Sequence, residues 1–80
     1  MLLKVLTAEK VIYSGNVSLV RFPGSDGSFT VLNNHAPMVA QLKSGSLVVQ
    51  PEGSNSKEKI NISGGIVRVL DNEILVLTGI

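Results

Sequence analysis

The sequence predicts an all-β protein, a sandwich or barrel of antiparallel strands formed by residues 1–80 as a single domain. Three observations carry this expectation. Apolar residues fall into short groups bounded by turn-forming residues. These groups recur about every 8–12 residues, the spacing of sandwiches and barrels. No window shows the apolar periodicity of an amphipathic helix. A length of 80 residues leaves room for one domain.

Taken in order, each group reads as a strand or part of one. Leu2–Leu6 opens the chain and Val11–Tyr13 follows the polar Thr7-Ala8-Glu9-Lys10. After Ser14-Gly15 comes Val17–Phe22, whose alternation changes phase between Leu19 and Val20, which predicts a β-bulge. Pro23-Gly24 reads as the centre of a type II turn, with Gly24 at positive φ, and Asp26-Gly27 as a hairpin dipeptide. Two reversals so close together predict a loop that stands out of the sheet. Phe29–Leu32 is β-branched and aromatic, and Ala36 is held extended by Pro37.

Met38–Leu42 and Leu47–Val49 flank Lys43-Ser44-Gly45-Ser46, and a polar connector runs from Pro51 to Glu58. In Ile60-Asn61-Ile62-Ser63 the alternation turns the isoleucines inward and Asn61 and Ser63 outward. Gly64-Gly65 predicts a bend or a close backbone approach. Ile66–Leu70 and Ile74–Leu77, joined by the tight-turn pair Asp71-Asn72, are apolar on both faces. One of those faces packs the core; the other needs a cover.

Composition excludes several classes of function. Charged residues are 16% of the chain and the net charge is +1, so there is no strong field for nucleic acid or anionic lipid. Aromatic residues are too few for a base-stacking groove. Without cysteine there is neither a disulfide framework nor a thiolate metal site. The positive mean hydropathy exceeds what one small core readily hides, and exposed apolar patches mark contacts. The N-terminal Met1–Leu6 is too short and too interrupted by Lys4 for a signal segment, and no apolar run reaches membrane-spanning length, so direct lipid insertion is not expected.

Chemistry finds little support. His35 is the single imidazole, and the serines at 14, 25, 28, 44 and 63 lie in or beside turns, none in a nucleophile-elbow sequence. The carboxylates are scattered without metal-ligand spacing. Gly24-Ser25-Asp26-Gly27 lacks the phosphate-loop spacing and leads into a strand rather than a helix. No catalytic, cofactor or metal residue is expected.

The run Phe22-Pro23-Gly24-Ser25-Asp26-Gly27-Ser28-Phe29-Thr30-Val31-Leu32-Asn33-Asn34-His35-Ala36-Pro37 resembles the signature of the epsilon subunit of rotary F-type ATP synthases, in its N-terminal β-sandwich. Thr7-Ala8-Glu9-Lys10 with Tyr13-Ser14-Gly15, then Leu42-Lys43-Ser44-Gly45, then Ser63-Gly64-Gly65-Ile66-Val67-Arg68-Val69 resemble further family segments in the same order. The resemblance implies a sandwich of about ten short strands at the foot of the central stalk. It implies a noncatalytic rotor subunit, peripheral on the cytoplasmic face of a bacterial inner membrane, that joins the gamma subunit to the membrane rotor ring of c subunits and so couples proton movement to ATP synthesis. Carried over by position, Thr7, His35, Met38 and Ala40 face gamma, while Asp26, Ser28 and Phe29 face the ring. Thr30 stands where the family commonly has glycine. The family often continues into a C-terminal helical hairpin, an inhibitory latch, which this 80-residue sequence does not include, so coupling without that latch is the expectation.

Two other classes compete. Lipoyl- or biotin-carrying domains are β-sandwiches of similar length, but need a modifiable lysine at a hairpin tip; Lys43 lies only beside a turn. An enzyme would need His35 in a pocket with an acidic partner.

Overall fold

A computed structural model describes residues 1–79. These form six strands: β1 (Leu2–Leu6), β2 (Val11–Phe22), β3 (Phe29–Leu32), β4 (Met38–Pro51), β5 (Glu58–Leu70) and β6 (Glu73–Thr78). The three long strands each fuse two of the apolar groups seen in the sequence, because β2, β4 and β5 cross from one layer of the sandwich to the other. Fewer, longer strands than the expected ten therefore give the same architecture.

Register separates the two layers. The front sheet runs β3, β2 (17–22), β4 (44–51) and β5 (58–63). The back sheet runs β4 (38–42), β5 (65–70), β6, β1 and β2 (11–16). The β1–β2 pairing closes the circuit, so the sandwich is a flattened barrel with β3 added to its rim. All pairings are antiparallel except β1 with β6, where Leu2 to Leu6 run alongside Glu73 to Leu77. Closure demands this, because the ring β1-β6-β5-β4-β2 has five strands, and alternating directions cannot close on an odd number without one parallel pair.

The corners are written into the backbone. In β5 the turn from front to back is made at Gly64 (φ 102°) and Gly65 (φ 145°), and a β-carbon at Gly65 would collide with the Leu77 carbonyl oxygen. Only glycine fits there. In β2 the register shifts between Val17 and Leu19, so the bulge lies at Ser18, slightly earlier than the sequence phase change suggests. Asp71 (φ 52°) and Asn72 (φ 60°) form the positive-φ pair of a type I′ hairpin, as expected.

Side chains from both inner faces fill the core. Val17, Val20, Phe22, Val31, Leu47 and Val49 of the front sheet meet Leu3, Val5, Val67, Val69, Ile74 and Val76 of the back sheet, all essentially inaccessible to solvent. Ile62 is buried while Asn61 and Ser63 are exposed, as the alternation requires.

The Pro23-Gly24 expectation is corrected. Gly24 does not have positive φ, so no type II turn forms there. Pro23 and Gly24 are buried, and the chain runs on beside β4: the Lys43 amide donates to the Pro23 carbonyl (2.9 Å) and the Ser25 amide to the Gln41 carbonyl (2.9 Å). Gly24 is needed for space, since a β-carbon would lie 2.5 Å from the Gly27 carbonyl oxygen and 2.9 Å from the Phe29 ring. The reversal itself spans Gly24 to Gly27, closed by a 3.0 Å bond from the Gly27 amide to the Gly24 carbonyl. Only the tip, Ser25 to Ser28, is exposed.

Candidate docking surface

The outer face of the back sheet is the outstanding surface feature. Side chains alternate along a strand, so cross-strand partners share a face. Gln41, Ile66, Leu77, Leu6 and Val11 form one row across the five strands, and Val39, Arg68, Leu75, Lys4 and Ser14 the next. Val39 is 64% exposed, Val11 59%, Leu77 47%, Ile66 45% and Leu70 42%, and all lie on this face or its rim. Leu2, Leu6 and Leu75 are half-buried between them. The front sheet's outer face is different: Arg21, Thr30, Ser46, Gln50, Lys59 and Asn61 dominate, with Leu32 its large exposed apolar residue. The molecule thus has one greasy face and one polar face.

The residues singled out in the sequence are distributed around this face rather than gathered in one place. Thr7 organises the turn beyond β1: its Oγ1 accepts from the amides of Glu9 (3.3 Å) and Lys10 (3.1 Å). His35 lies at the opposite end of the back sheet, in the loop before β4. Its amide donates to the Leu32 carbonyl (3.2 Å) and its Nδ1 lies 2.7 Å from the Ala36 carbonyl oxygen. The neighbouring Asn34 amide donates to Asn72 Oδ1 (2.9 Å), which ties this loop to the β5–β6 hairpin. Met38 and Ala40 pair with Val69 and Val67, whose side chains are in the core, so both point inward along the β4 edge and are half-buried. Val39, between them, points outward.

Asp26 and Ser28 are exposed at the loop tip. Phe29 is not: it is half-buried and stacked on Phe22, ring centroids 5.3 Å apart, and fixes the loop from beneath. A cleft of about 470 Å³ separates this loop from the β4 edge, lined by Asp26, Phe29, Met38 and Ala40 among others. It brings together two of the positions expected to face gamma, Met38 and Ala40, and two expected to face the ring, Asp26 and Phe29.

Among the described residues no three His, Cys, Asp or Glu side chains lie close enough to hold a metal ion. No helix among them is long and apolar enough to cross a membrane. Lys43 lies inside β4, at its crossing between sheets, rather than at a hairpin tip.

Comparison with known proteins gives this face a context. Residues 1–79 match the family described as ATP synthase, Delta/Epsilon chain, beta-sandwich domain. The chain belongs to that family. It is 42% identical over 74 residues to the ATP synthase epsilon chain of Leptospira borgpetersenii serovar Hardjo-bovis, a match covering 92% of this chain and 57% of the relative. It is 37% identical over 76 residues to that of Chlorobium limicola, covering 95% of this chain and 85% of the relative. The chain spans little more than half the length of most of these curated relatives. Among solved structures, a chain of the Euglena gracilis mitochondrial ATP synthase OSCP/F1/c-ring assembly superposes with a TM-score of 0.84 at 29% identity, over 95% of this chain and 48% of that one. A chain of the Tetrahymena thermophila central stalk and c-ring shares the fold, with a TM-score of 0.81 at 21% identity over 63% of its length. The delta/epsilon fold is therefore the context in which the apolar face has to be read.

Residues 39, 66, 70 and 77 escaped the sequence-level site assignment. Alternation marked β5 and β6 as apolar on both faces, but the choice between Met38 and Val39 as the outward residue depends on register with β5, which the sequence alone does not supply.

Proposed function

We propose that this chain is a central-stalk component of a rotary ATP synthase, a noncatalytic coupler that binds the gamma subunit through the outer face of its back sheet and meets the rotor ring of c subunits with its Asp26–Ser28 loop tip. The observation that carries the reading is the register-defined apolar face across five strands, on a member of a family whose relatives are named as ATP synthase chains. In an isolated chain this face costs solvation free energy; a partner that covers it stabilises the pair.

The remaining gamma-facing positions fit a partner that spans the whole face. Thr7 and His35 border it at opposite ends, and Met38 and Ala40 line the β4 edge around which such a partner would grip. The contribution to ATP synthesis is mechanical. A close-packed two-layer core resists deformation, so torque applied at the loop tip is passed to the docking face rather than being absorbed. Coupling of proton movement to synthesis, and a peripheral place on the cytoplasmic side of a bacterial membrane, follow from that role.

Copurification with recombinant gamma subunit from the same source tests the proposal. Stable co-elution of folded chain with gamma is expected; failure to associate while the chain remains folded would remove it.

A further inference from the structure

We infer, resting on the stalk-subunit reading, that the gamma surface covering the back sheet presents a carboxylate side chain between Lys4 and Arg68. Lys4, Leu75 and Arg68 are successive partners across β1, β6 and β5, so two cations flank Leu75 on the outer face. With strands about 4.8 Å apart, their Cα atoms are roughly 10 Å apart, and both long side chains can converge over Leu75. They border a depression of about 130 Å³ together with Leu2, Glu73 and Leu75.

Charge does not balance within this site. Among the described residues Glu73 is the one acid at an outward strand position of the face, and it sits diagonally from both Lys4 and Arg68, roughly 7–8 Å away along the neighbouring strands. One carboxylate faces two cations, in the middle of Leu2, Leu6, Ile66, Leu70 and Leu77. A wholly apolar cover would strip water from a cation and give it nothing in return. A partner carboxylate over Leu75 supplies the missing charge to both cations and fixes the register of docking, since displacement by one strand would leave it beside a single cation and displacement by two would set it over Val39 or Ser14.

The front sheet provides an internal control. Arg21 and Lys59 flank Val48 in the same cross-strand arrangement, beside Thr30, Ser46, Gln50 and Asn61 as well as Leu19, on the sheet the proposed partner leaves open to water. Binding to recombinant gamma, measured from about 0.05 to about 0.5 M salt, should separate the two pairs. For the wild type, affinity is expected to fall with salt. Lys4→Gln/Arg68→Gln is expected to bind at least about tenfold more weakly at low salt and to lose most of the salt dependence, while Arg21→Gln/Lys59→Gln behaves as wild type. Thermal unfolding checks that each variant is folded, with the single Arg68→Gln change as the substitute if the first pair is not. Unchanged affinity and salt slope in Lys4→Gln/Arg68→Gln, or equal changes in both pairs, would overturn the inference while leaving the stalk reading in place. Absence of any wild-type binding would overturn both.

Discussion

Gly65 holds a conformation that no other residue tolerates, with φ at 145° and the Leu77 carbonyl oxygen occupying the place of a side chain. Gly65→Ala is expected to destabilise the chain by about 3 kcal/mol or more, because β5 must shift at its corner. Gly27→Ala, at φ 125° but with open space around it, is expected to cost only about 1 kcal/mol. Denaturant unfolding of the two variants measures the difference. Tyr13 offers a second test at this scale. Burial, and then the nearby Glu58 carboxylate, hold its phenol above the ordinary range. The unfolded chain therefore loses this proton first, and stability falls as pH rises from the ordinary phenol value through the folded one. Absorbance titration is expected to give a tyrosinate midpoint above that of the unfolded chain, lowered only part-way by Glu58→Gln because burial is the larger cause. The glycine pair was legible as a close approach because two adjacent residues without side chains inside an apolar run have few other uses. The role of Gly24 was not legible: the space it leaves is taken by Phe29 and the Gly27 carbonyl, contacts set by the returning strand and not by the turn's own sequence.

At the level of strands, the test lies in β4. Met38 and Val39 are adjacent and both apolar, yet register with Val69 and Arg68 turns one to the core and the other to solvent. Val39→Asp is expected to leave the unfolding midpoint nearly unchanged and to weaken gamma binding by about tenfold or more. Met38→Asp should lower stability by about 1–3 kcal/mol, since it sets a charge against partly buried core residues. Thermal unfolding paired with a binding titration distinguishes the two. If Met38→Asp leaves stability intact and alone abolishes binding, the partner meets the β4 edge and not the outer face. The nine apolar groups of the sequence correspond to the strand segments of the two sheets, so patterning located almost every segment. It did not reveal that β2, β4 and β5 pass between sheets without a break, because Ser14-Gly15, Ser44-Gly45 and Ser63-Gly64 read as turns when each sheet is considered alone. Nor did it reveal the parallel β1–β6 pair, which only closure of the barrel imposes.

For the molecule as a whole, the consequence of this packing is an asymmetric body, polar on one broad face and apolar on the other, within about 29 × 23 × 20 Å. The proposed coupling role uses this asymmetry: one face to hold a partner, and a rigid interior joining it to the loop that adjoins its β4 edge. The outer-face assignment is tested most directly by comparing two substitutions at sites of similar exposure. Ile66 and Leu77 are cross-strand partners in the apolar face, whereas Leu32 is exposed on the opposite sheet. Measured against purified gamma subunit, Ile66→Asp/Leu77→Asp is predicted to reduce affinity by about 100-fold with folding retained, and Leu32→Asp by less than about threefold. Equal losses at both sites, or a larger loss at Leu32, would contradict the assignment of the back sheet as the docking face.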